Sequence, residues 1–107
     1  MVEVTENILL ALNISDYAAF TRDFSADMLA AFTEDQFTQL RDLLQNASGN
    51  YLSMHAPGLS NSRGYAIYRF PCKFDHEDVI VTITFSFGGD KVEKLFFDSP
   101  NLRNASQ

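Results

Sequence analysis

Residues 32–51 read FTEDQFTQLRDLLQNASGNY, and this stretch contains a whole helix with its start and its end. Thr33 and Gln36 have the spacing of a capping box, and phenylalanines flank the pair at the positions of a hydrophobic staple. Apolar residues then recur every three or four positions, which predicts one buried helical face. The members of this face are Phe37, Leu40, Leu44 and Ala47. Gly49 follows as the residue type that ends helices in a left-handed turn.

The residue pattern changes at Gly49. Before it, apolar residues at helical spacing predict a first helix near residues 4–13, and Ser15, Asp16 and Ser25 offer capping side chains for two shorter helical pieces. After it, the period falls to two, which indicates strands. Helices followed by a run of strands predict an α+β domain, with the helices packed on one face of a four-stranded antiparallel sheet.

The predicted strands cover residues 51–59, 64–75, 78–87 and 91–98. Two of them have a clear core face opposite a polar face. The core residues are Ala66, Tyr68, Phe70, Cys72 and Phe74 in the second strand and Val79, Val81, Ile83, Phe85 and Phe87 in the third. Pro71 cannot donate a ladder hydrogen bond, which predicts an edge or a bulge. Asp75 to Asp78 and residues 88–90 are expected to form turns.

A chain of 107 residues is one domain, here residues 1–99, and the polar residues 100–107 are expected to form a flexible tail. Eight basic and fourteen acidic residues give a net charge of −6, which repels phosphate backbones and anionic membrane surfaces. No apolar run approaches the roughly 20 residues that cross a bilayer. We therefore expect a soluble protein with neither nucleic acid nor a membrane as a partner.

The sequence is compatible with more than one cellular compartment. The N-terminus MVEVTENILLALN has acidic residues before its apolar run, which is unlike a signal peptide. The single cysteine, Cys72, cannot form an internal disulfide. As the chain stands, the expectation is a cytoplasmic protein, or an extracytoplasmic one if a signal segment has been removed.

The sequence contains only weak signals for metal binding, catalysis or cofactor binding. Residues 75–78 (DHED) hold four metal-ligand side chains, but neighbouring positions of a tight turn diverge, so a solvated turn is expected and no metal site. Cys72 faces the core and has no evident histidine partner, which is typical of an inert thiol. No glycine-rich phosphate motif or nucleophile elbow is present, so no cofactor is predicted.

The aromatic residues are the candidate site. Ten Phe and four Tyr exceed what a simple two-layer core needs, and large rings over a sheet can leave a pocket. The alternative is a filled core, in which a buried Tyr hydroxyl bonds to the backbone. If the pocket exists, its lining for a small apolar ligand is Tyr17, Phe20, Phe24, Tyr68, Phe70 and Phe85, with Tyr17 at the mouth.

 This set takes Tyr17, Phe20 and Phe24 from the helical half of the chain and Tyr68, Phe70 and Phe85 from the strands.

One further set of residues spans nearly the whole chain. It consists of Asp16-Tyr17, Phe20, Phe24-Ser25, Met28, Phe37, Leu40, Leu44, Gly49 and Tyr51, followed by alternating strands and Leu95-Phe96-Phe97. The pattern resembles the small prokaryotic domain-of-unknown-function family 3887, within the nuclear transport factor 2-like superfamily. That resemblance implies helices cupped by a strongly curved antiparallel sheet in the form of a cone. It also implies pairing through the sheet as a homodimer, or a small apolar ligand in the cone.

Enzymes of that superfamily, such as steroid isomerases and small dehydratases, place an Asp, His or Tyr inside the cone. Here most acidic residues fall at helix starts, helix surfaces or turns, and His55 and Asp98 fall on polar strand faces. No catalytic residue is therefore assigned. The resulting hypothesis is a non-enzymatic ligand-binding or self-association domain, and the alternative is a small lyase or isomerase. For the homodimer, the expected contact strip is Thr82, Thr84 and Ser86.

Overall fold

The computed structural model describes residues 2–86 and 91–105. Within these ranges, four helices precede five strands and a fifth helix follows them. The helices are α1 (Val2–Ile14), α2 (Tyr17–Phe20), α3 (Ala26–Ala31), α4 (Glu34–Ala47) and α5 (Pro100–Ala105). The strands are β1 (Tyr51–Met54), β2 (Gly58–Ser62), β3 (Tyr65–Phe74), β4 (Asp78–Phe85) and β5 (Val92–Asp98). The predicted α+β class is confirmed.

Helix α4 begins and ends where the sequence predicts. The Thr33 hydroxyl accepts a hydrogen bond from the backbone N–H of Gln36 at 3.3 Å, and the Gln36 side chain accepts one from the Thr33 N–H at 2.9 Å. This is the predicted capping box. Phe37 and Leu44 on the apolar face are buried. Gly49 follows the helix with a φ of +86°, a conformation that glycine adopts without strain.

The two short helices use the predicted caps. The Asp16 carboxylate accepts a hydrogen bond from the Ala19 N–H at 3.0 Å, and the Ser25 hydroxyl accepts one from the Met28 N–H at 3.1 Å. Helix α2 has only four residues. Phe24 therefore lies beyond it, in a bridge beside Val92 at the start of β5.

The sheet is antiparallel and curved, in the order β1-β3-β4-β5, with β2 paired to β3 as well. The prediction of four strands was wrong, because the expected strand 51–59 is divided into β1 and β2. Residues 55–57 separate the two, and Pro57 at this position cannot donate to a ladder. Bulges interrupt the β1–β3 and β4–β5 registers, and bulges bend the strands that contain them.

Pro71 lies inside the sheet and in a regular register with β4, so the predicted edge or bulge at this position was wrong. It pairs with Ile80 of β4 on one side. On its other side, β1 pairs with β3 as far as Cys72 and β2 begins opposite Arg69. The missing N–H of the proline therefore meets the gap between β1 and β2, where no ladder bond is lost.

The inner face of the sheet forms the core with the helices. The predicted core residues Phe70, Cys72 and Phe74 of β3 are buried, and so are the alternating apolar residues of β4. Those of β4 are Val79, Val81, Ile83 and Phe85. Helical side chains such as Ile8 and Phe20 belong to the same core cluster. The predicted strand residue Phe87 and the turn at 88–90 lie outside the described residues.

Residues 100–105, part of the segment expected to be a flexible tail, form helix α5. The Ser99 hydroxyl accepts a hydrogen bond from the Leu102 N–H at 3.1 Å, and proline at the first helical position has its φ already set. Leu102 is buried in the core cluster and holds the helix against the domain. Residues 106 and 107 lie outside the described part of the chain.

Candidate functional site

The six aromatic residues predicted to line a pocket fall into two groups of rings in contact. Phe20 packs against Phe24 with ring centroids 5.2 Å apart, and both rings also contact Phe32. Tyr17 and Phe20 contact Phe37 as well. These contacts join α2, the segment after it and the start of α4 into one apolar cluster.

The second group lies on the sheet. The Tyr68 ring contacts Phe70 of the same strand at 6.1 Å and Phe85 of β4 at 5.6 Å. The Tyr17 hydroxyl of the first group donates a hydrogen bond to the Phe32 carbonyl at 2.7 Å, which is the backbone contact expected of a filled core. None of the six predicted residues lines the three cavities described below. A ligand among these rings stays a prediction.

An apolar groove runs between α4, the outer end of β5 and α5. Its volume is about 320 Å³, at the lower end of the range for small-molecule sites. The lining residues are Phe32, Leu40, Leu43, Leu95, Phe96, Phe97, Asp98, Leu102 and Arg103. The ionisable side chains in this lining, Asp98 and Arg103, form an ion pair at 3.3 Å. A second hollow, of about 400 Å³, lies between the ends of α4 and α5.

Glu77 fixes the position of α5, which forms one wall of the groove. Its carboxylate accepts hydrogen bonds from the hydroxyls of Ser48 at 2.6 Å and Ser99 at 2.5 Å. The backbone N–H of Asn101 in the first turn of α5 donates to the same carboxylate at 3.1 Å. Three segments, the end of α4, the β3–β4 turn and the start of α5, therefore meet at one side chain.

The electrostatics of this contact follow from its donors. Burial acts to raise the pKa of Glu77, but the hydrogen bonds from Ser48, Ser99 and the Asn101 N–H outweigh burial. The positive charge of Arg103 acts in the same direction as these bonds, and the net result is a pKa below the ordinary value. Glu77 is thus a charged structural residue in the turn that the sequence predicts to be solvated.

The outer face of the sheet is the side away from the helices. Strand alternation and the β3–β4–β5 register place on it Tyr65, Ile67, Arg69, Ile80, Thr82, Thr84, Lys94, Phe96 and Asp98. Two apolar side chains are exposed on it at diagonal positions: Phe96 of β5, which lies beside Thr82 and is 63% exposed, and Ile80 of β4, which is 37% exposed. Thr84, predicted to be part of an uncharged contact strip, is buried. Thr82 and Ser86 of that strip are half-buried.

A hollow of about 550 Å³ lies at one end of the outer face. It is lined by Arg63, Tyr65, Ile67, Thr84, Glu93 and Lys94. Residues of both charge signs border it, so this end of the face has no single-sign field that would select a small charged ligand.

Two further side chains have displaced pKa values, and both lie in the core. Burial raises the pKa of the Cys72 thiol to about 12, so the thiol is protonated and a poor nucleophile at neutral pH. Burial raises the pKa of Tyr51 to about 12, with Glu6 and Cys72 acting in the same direction. Neither residue lines one of the three cavities.

Two features are absent from residues 2–86 and 91–105. No three His, Cys, Asp or Glu side chains in these ranges converge where they could hold a metal ion. In the same ranges no helix has the length and apolar character needed to cross a bilayer.

The sequence analysis missed three residues that matter here. Ile80 and Phe96 supply the exposed apolar surface of the sheet, and Glu77 anchors α5. A signal for Phe96 was present, because it alternates with Leu95 and Phe97 and therefore cannot share their inward face. No local signal marked Glu77, whose partners are distant in sequence.

Comparison with known proteins gives one family. No curated protein and no solved structure matches the chain. The family model described as "Protein of unknown function (DUF3887)" matches residues 5–95, which include most of α1, all of α2 to α4 and β1 to β4, and the first part of β5. The chain belongs to this DUF3887 family.

Proposed function

We propose that this chain is a non-enzymatic self-association domain that forms a homodimer through its sheet. One observation carries the proposal: the outer face of the sheet is covered by no other element in the described ranges and exposes apolar side chains. Phe96 of β5 and its diagonal neighbour Ile80 of β4 are 63% and 37% exposed, and Tyr65 at the far end of the face is 44% exposed. Contiguous exposed apolar residues with a polar rim are typical of interaction sites.

The charges around these apolar side chains favour a second copy as the partner. Arg69 and Lys94 on the outer face are basic, whereas Asp98 on the same face is acidic. A surface that carries both signs can oppose its own charges across a twofold axis, whereas nucleic acid would meet a chain of net charge −6.

Sedimentation velocity from low to high micromolar concentration tests the proposal. We expect a dimer, and Phe96→Lys should weaken it because a lysine ammonium at this exposed position of the outer face must lose water on association. Leu10→Lys is the matched control, since Leu10 is 48% exposed on α1, away from the sheet face. A monomer at high micromolar concentration would remove the proposal. A dimer insensitive to Phe96→Lys would exclude the outer face as the contact.

A small apolar ligand is the second candidate, and the groove between α4, β5 and α5 supports it. The lining is mostly aliphatic and aromatic, and its ionisable groups Asp98 and Arg103 pair with each other. A lyase or isomerase would need a displaced acid or base inside such a cavity. The displaced groups described above, Tyr51, Cys72 and Glu77, lie outside the groove lining, which favours binding over catalysis.

We also propose that the fold belongs to the nuclear transport factor 2-like superfamily, with the sheet as its cone. The order of elements supports this proposal, because helices precede a curved antiparallel sheet and pack on its inner face. An experimental structure whose fold matched another superfamily better would overturn it.

A further inference from the structure

Strand β5 has a free edge. It pairs with β4 on one side, and on the other side only its first residue is covered in the described ranges. There the Val92 N–H donates to the Asp23 carbonyl at 2.7 Å and the Ser25 N–H donates to the Val92 carbonyl at 3.0 Å. Pro100 ends the strand by starting α5. Residues 94–98 therefore form an open window, which is called the free edge below.

The hydrogen-bond pattern shows which backbone groups face this window. The Ser86 N–H donates to the Lys91 carbonyl at 3.1 Å, so Ser86 points toward β5. Alternation then points Thr84, Thr82 and Ile80 toward β5 as well, and their register partners are Lys94, Phe96 and Asp98. These partners face β4. The backbone groups of Leu95 and Phe97 consequently face the free edge.

The free edge is accessible and has an apolar wall. Four consecutive residues, 95–98, line the groove together with Leu40 and Leu43 of α4. Consecutive residues of a strand have side chains on opposite faces, so a groove that touches all four follows the strand's edge.

The opposite edge of the sheet, formed by β1 and β2, is partly covered by a side chain of α1. Asn13 at the end of α1 donates to the Tyr51 carbonyl and accepts from the Tyr51 N–H, both at 2.9 Å, which covers the start of β1. Strand β2 also lies at that side, but its residues 58–62 (GLSNS) contain no charge that could select a register. An open strand edge with an exposed aromatic residue invites pairing with another strand.

Resting on the proposed self-association, we propose that two copies join by antiparallel pairing of their β5 strands, with the twofold axis at Phe96. This register is the one that brings the two free edges into full overlap, because Phe96 is the centre of residues 94–98. It places Lys94 of each copy opposite Asp98 of the other copy, so two oppositely charged pairs form. Leu95 meets Phe97 of the second copy, and the two Phe96 rings meet on the outer face.

The same register satisfies the backbone. Leu95 and Phe97 face each other across the axis with their outward N–H and C=O groups, so two hydrogen-bonded residue pairs form. Moving the axis by one residue would oppose Lys94 or Asp98 to Phe96 and would lose both ion pairs. The charge pattern of β5 thus selects one register, as charged residues do in other strand pairings.

Charge reversal in trans tests this register. Lys94→Glu leaves acidic residues at the facing positions 94 and 98, and Asp98→Lys leaves basic residues at both of these positions. Each variant should therefore dimerise about tenfold more weakly than the wild type. Mixed in equal amounts, the two variants should form a heterodimer, because both cross-strand pairs become complementary. Lys91→Glu is the matched control, since it changes the net charge as Lys94→Glu does but lies outside the free edge. It should leave dimerisation unchanged.

The readouts are sedimentation velocity and native mass spectrometry, with circular dichroism to confirm that each variant is folded. Amide hydrogen exchange gives a second readout that needs no variant: the Leu95 and Phe97 amides should gain protection as the dimer forms. A dimer that resists Lys94→Glu but not Phe96→Lys would overturn the β5 register and keep the proposed function. Weak single variants without recovery on mixing would overturn the register. A wild-type monomer would overturn both proposals.

Discussion

The carboxylate of Glu77 accepts a hydrogen bond from the hydroxyl of Ser99, and this contact joins the β3–β4 turn to the start of α5. Ser99 is 2% exposed, and Ser48, which donates to the same carboxylate, is fully buried. Two buried hydroxyls thus depend on one side chain for an acceptor. A buried polar group that loses its hydrogen-bond partner is left with the full free-energy cost of its desolvation.

Replacing Glu77 should therefore destabilise the whole domain. We expect Glu77→Ala to lower the free energy of unfolding by about 2–3 kcal/mol, because it leaves the Ser48 and Ser99 hydroxyls and the Asn101 N–H without their acceptor. Urea denaturation measures the change. Asp78→Ala, at the adjacent exposed position, is the control and should stay within about 0.5 kcal/mol of the wild type. Equal effects of both substitutions would contradict the anchoring role.

The lowered pKa of Glu77 predicts a pH dependence of stability. Between the folded-state pKa and the ordinary value of 4.5, the unfolded chain binds more protons at Glu77 than the folded chain. The Glu77 contribution is therefore complete above pH 4.5 and is lost as the pH falls through the folded-state pKa. The stability difference between the wild type and Glu77→Gln should shrink on acidification, as measured by urea denaturation at successive pH values. A difference that stayed constant would show that the charge is unimportant.

Gly49 should resist substitution for two reasons. Its φ is +86°, and a β-carbon built on it would lie 2.4 Å from the Cβ of Asp75. Gly49→Ala must therefore strain the backbone and displace the β3–β4 turn, at a cost of about 1–3 kcal/mol. Gly58→Ala is the matched control, because a β-carbon there meets nothing within 4 Å. Thermal denaturation of both variants checks the prediction, and a Gly49→Ala variant as stable as Gly58→Ala would refute it.

The start of α4 allows a graded test of cap and core. Thr33→Ala removes one side of the capping box and should cost about 1 kcal/mol. Phe37→Ala removes a ring that is 3% exposed and contacts Tyr17 and Phe20, and it should cost about 3–5 kcal/mol. Chemical denaturation separates the two values. Near-zero losses for both would mean that this helix start contributes little to stability.

Local signals were sufficient to predict the helices before the sheet and the inner face of the sheet. Capping pairs such as Thr33 and Gln36 lie three residues apart, and alternation along β4 is a property of one strand. Contacts between distant segments could not be predicted this way. Ser48 and Ser99 lie 29 and 22 positions from Glu77, so the four residues 75–78 alone indicated only a turn.

The candidate site shows the same difference between what local patterns predict and what depends on distant segments. Alternation correctly placed Phe70 and Phe85 on the inner face, but alternation does not say whether such rings close on one another. It also does not say whether the opposite face is covered. The exposure of Ile80 and Phe96 depends on the absence of a covering element over the described sheet, which is a property of the whole topology.

Thermal shift measurements with small hydrophobic and phenolic compounds test the ligand hypothesis. A compound that binds only the folded state stabilises it by RT ln(1 + [L]/Kd), which is about 2.7 kcal/mol at a hundred times Kd. Leu43→Lys should abolish a shift that arises in the groove, since Leu43 lines the groove and is 37% exposed. It should leave unchanged a shift that arises among Tyr17, Phe20 and Phe24. If no compound shifts the transition, the rings of both groups act as core packing, and the open surfaces of the sheet remain the functional part of the molecule.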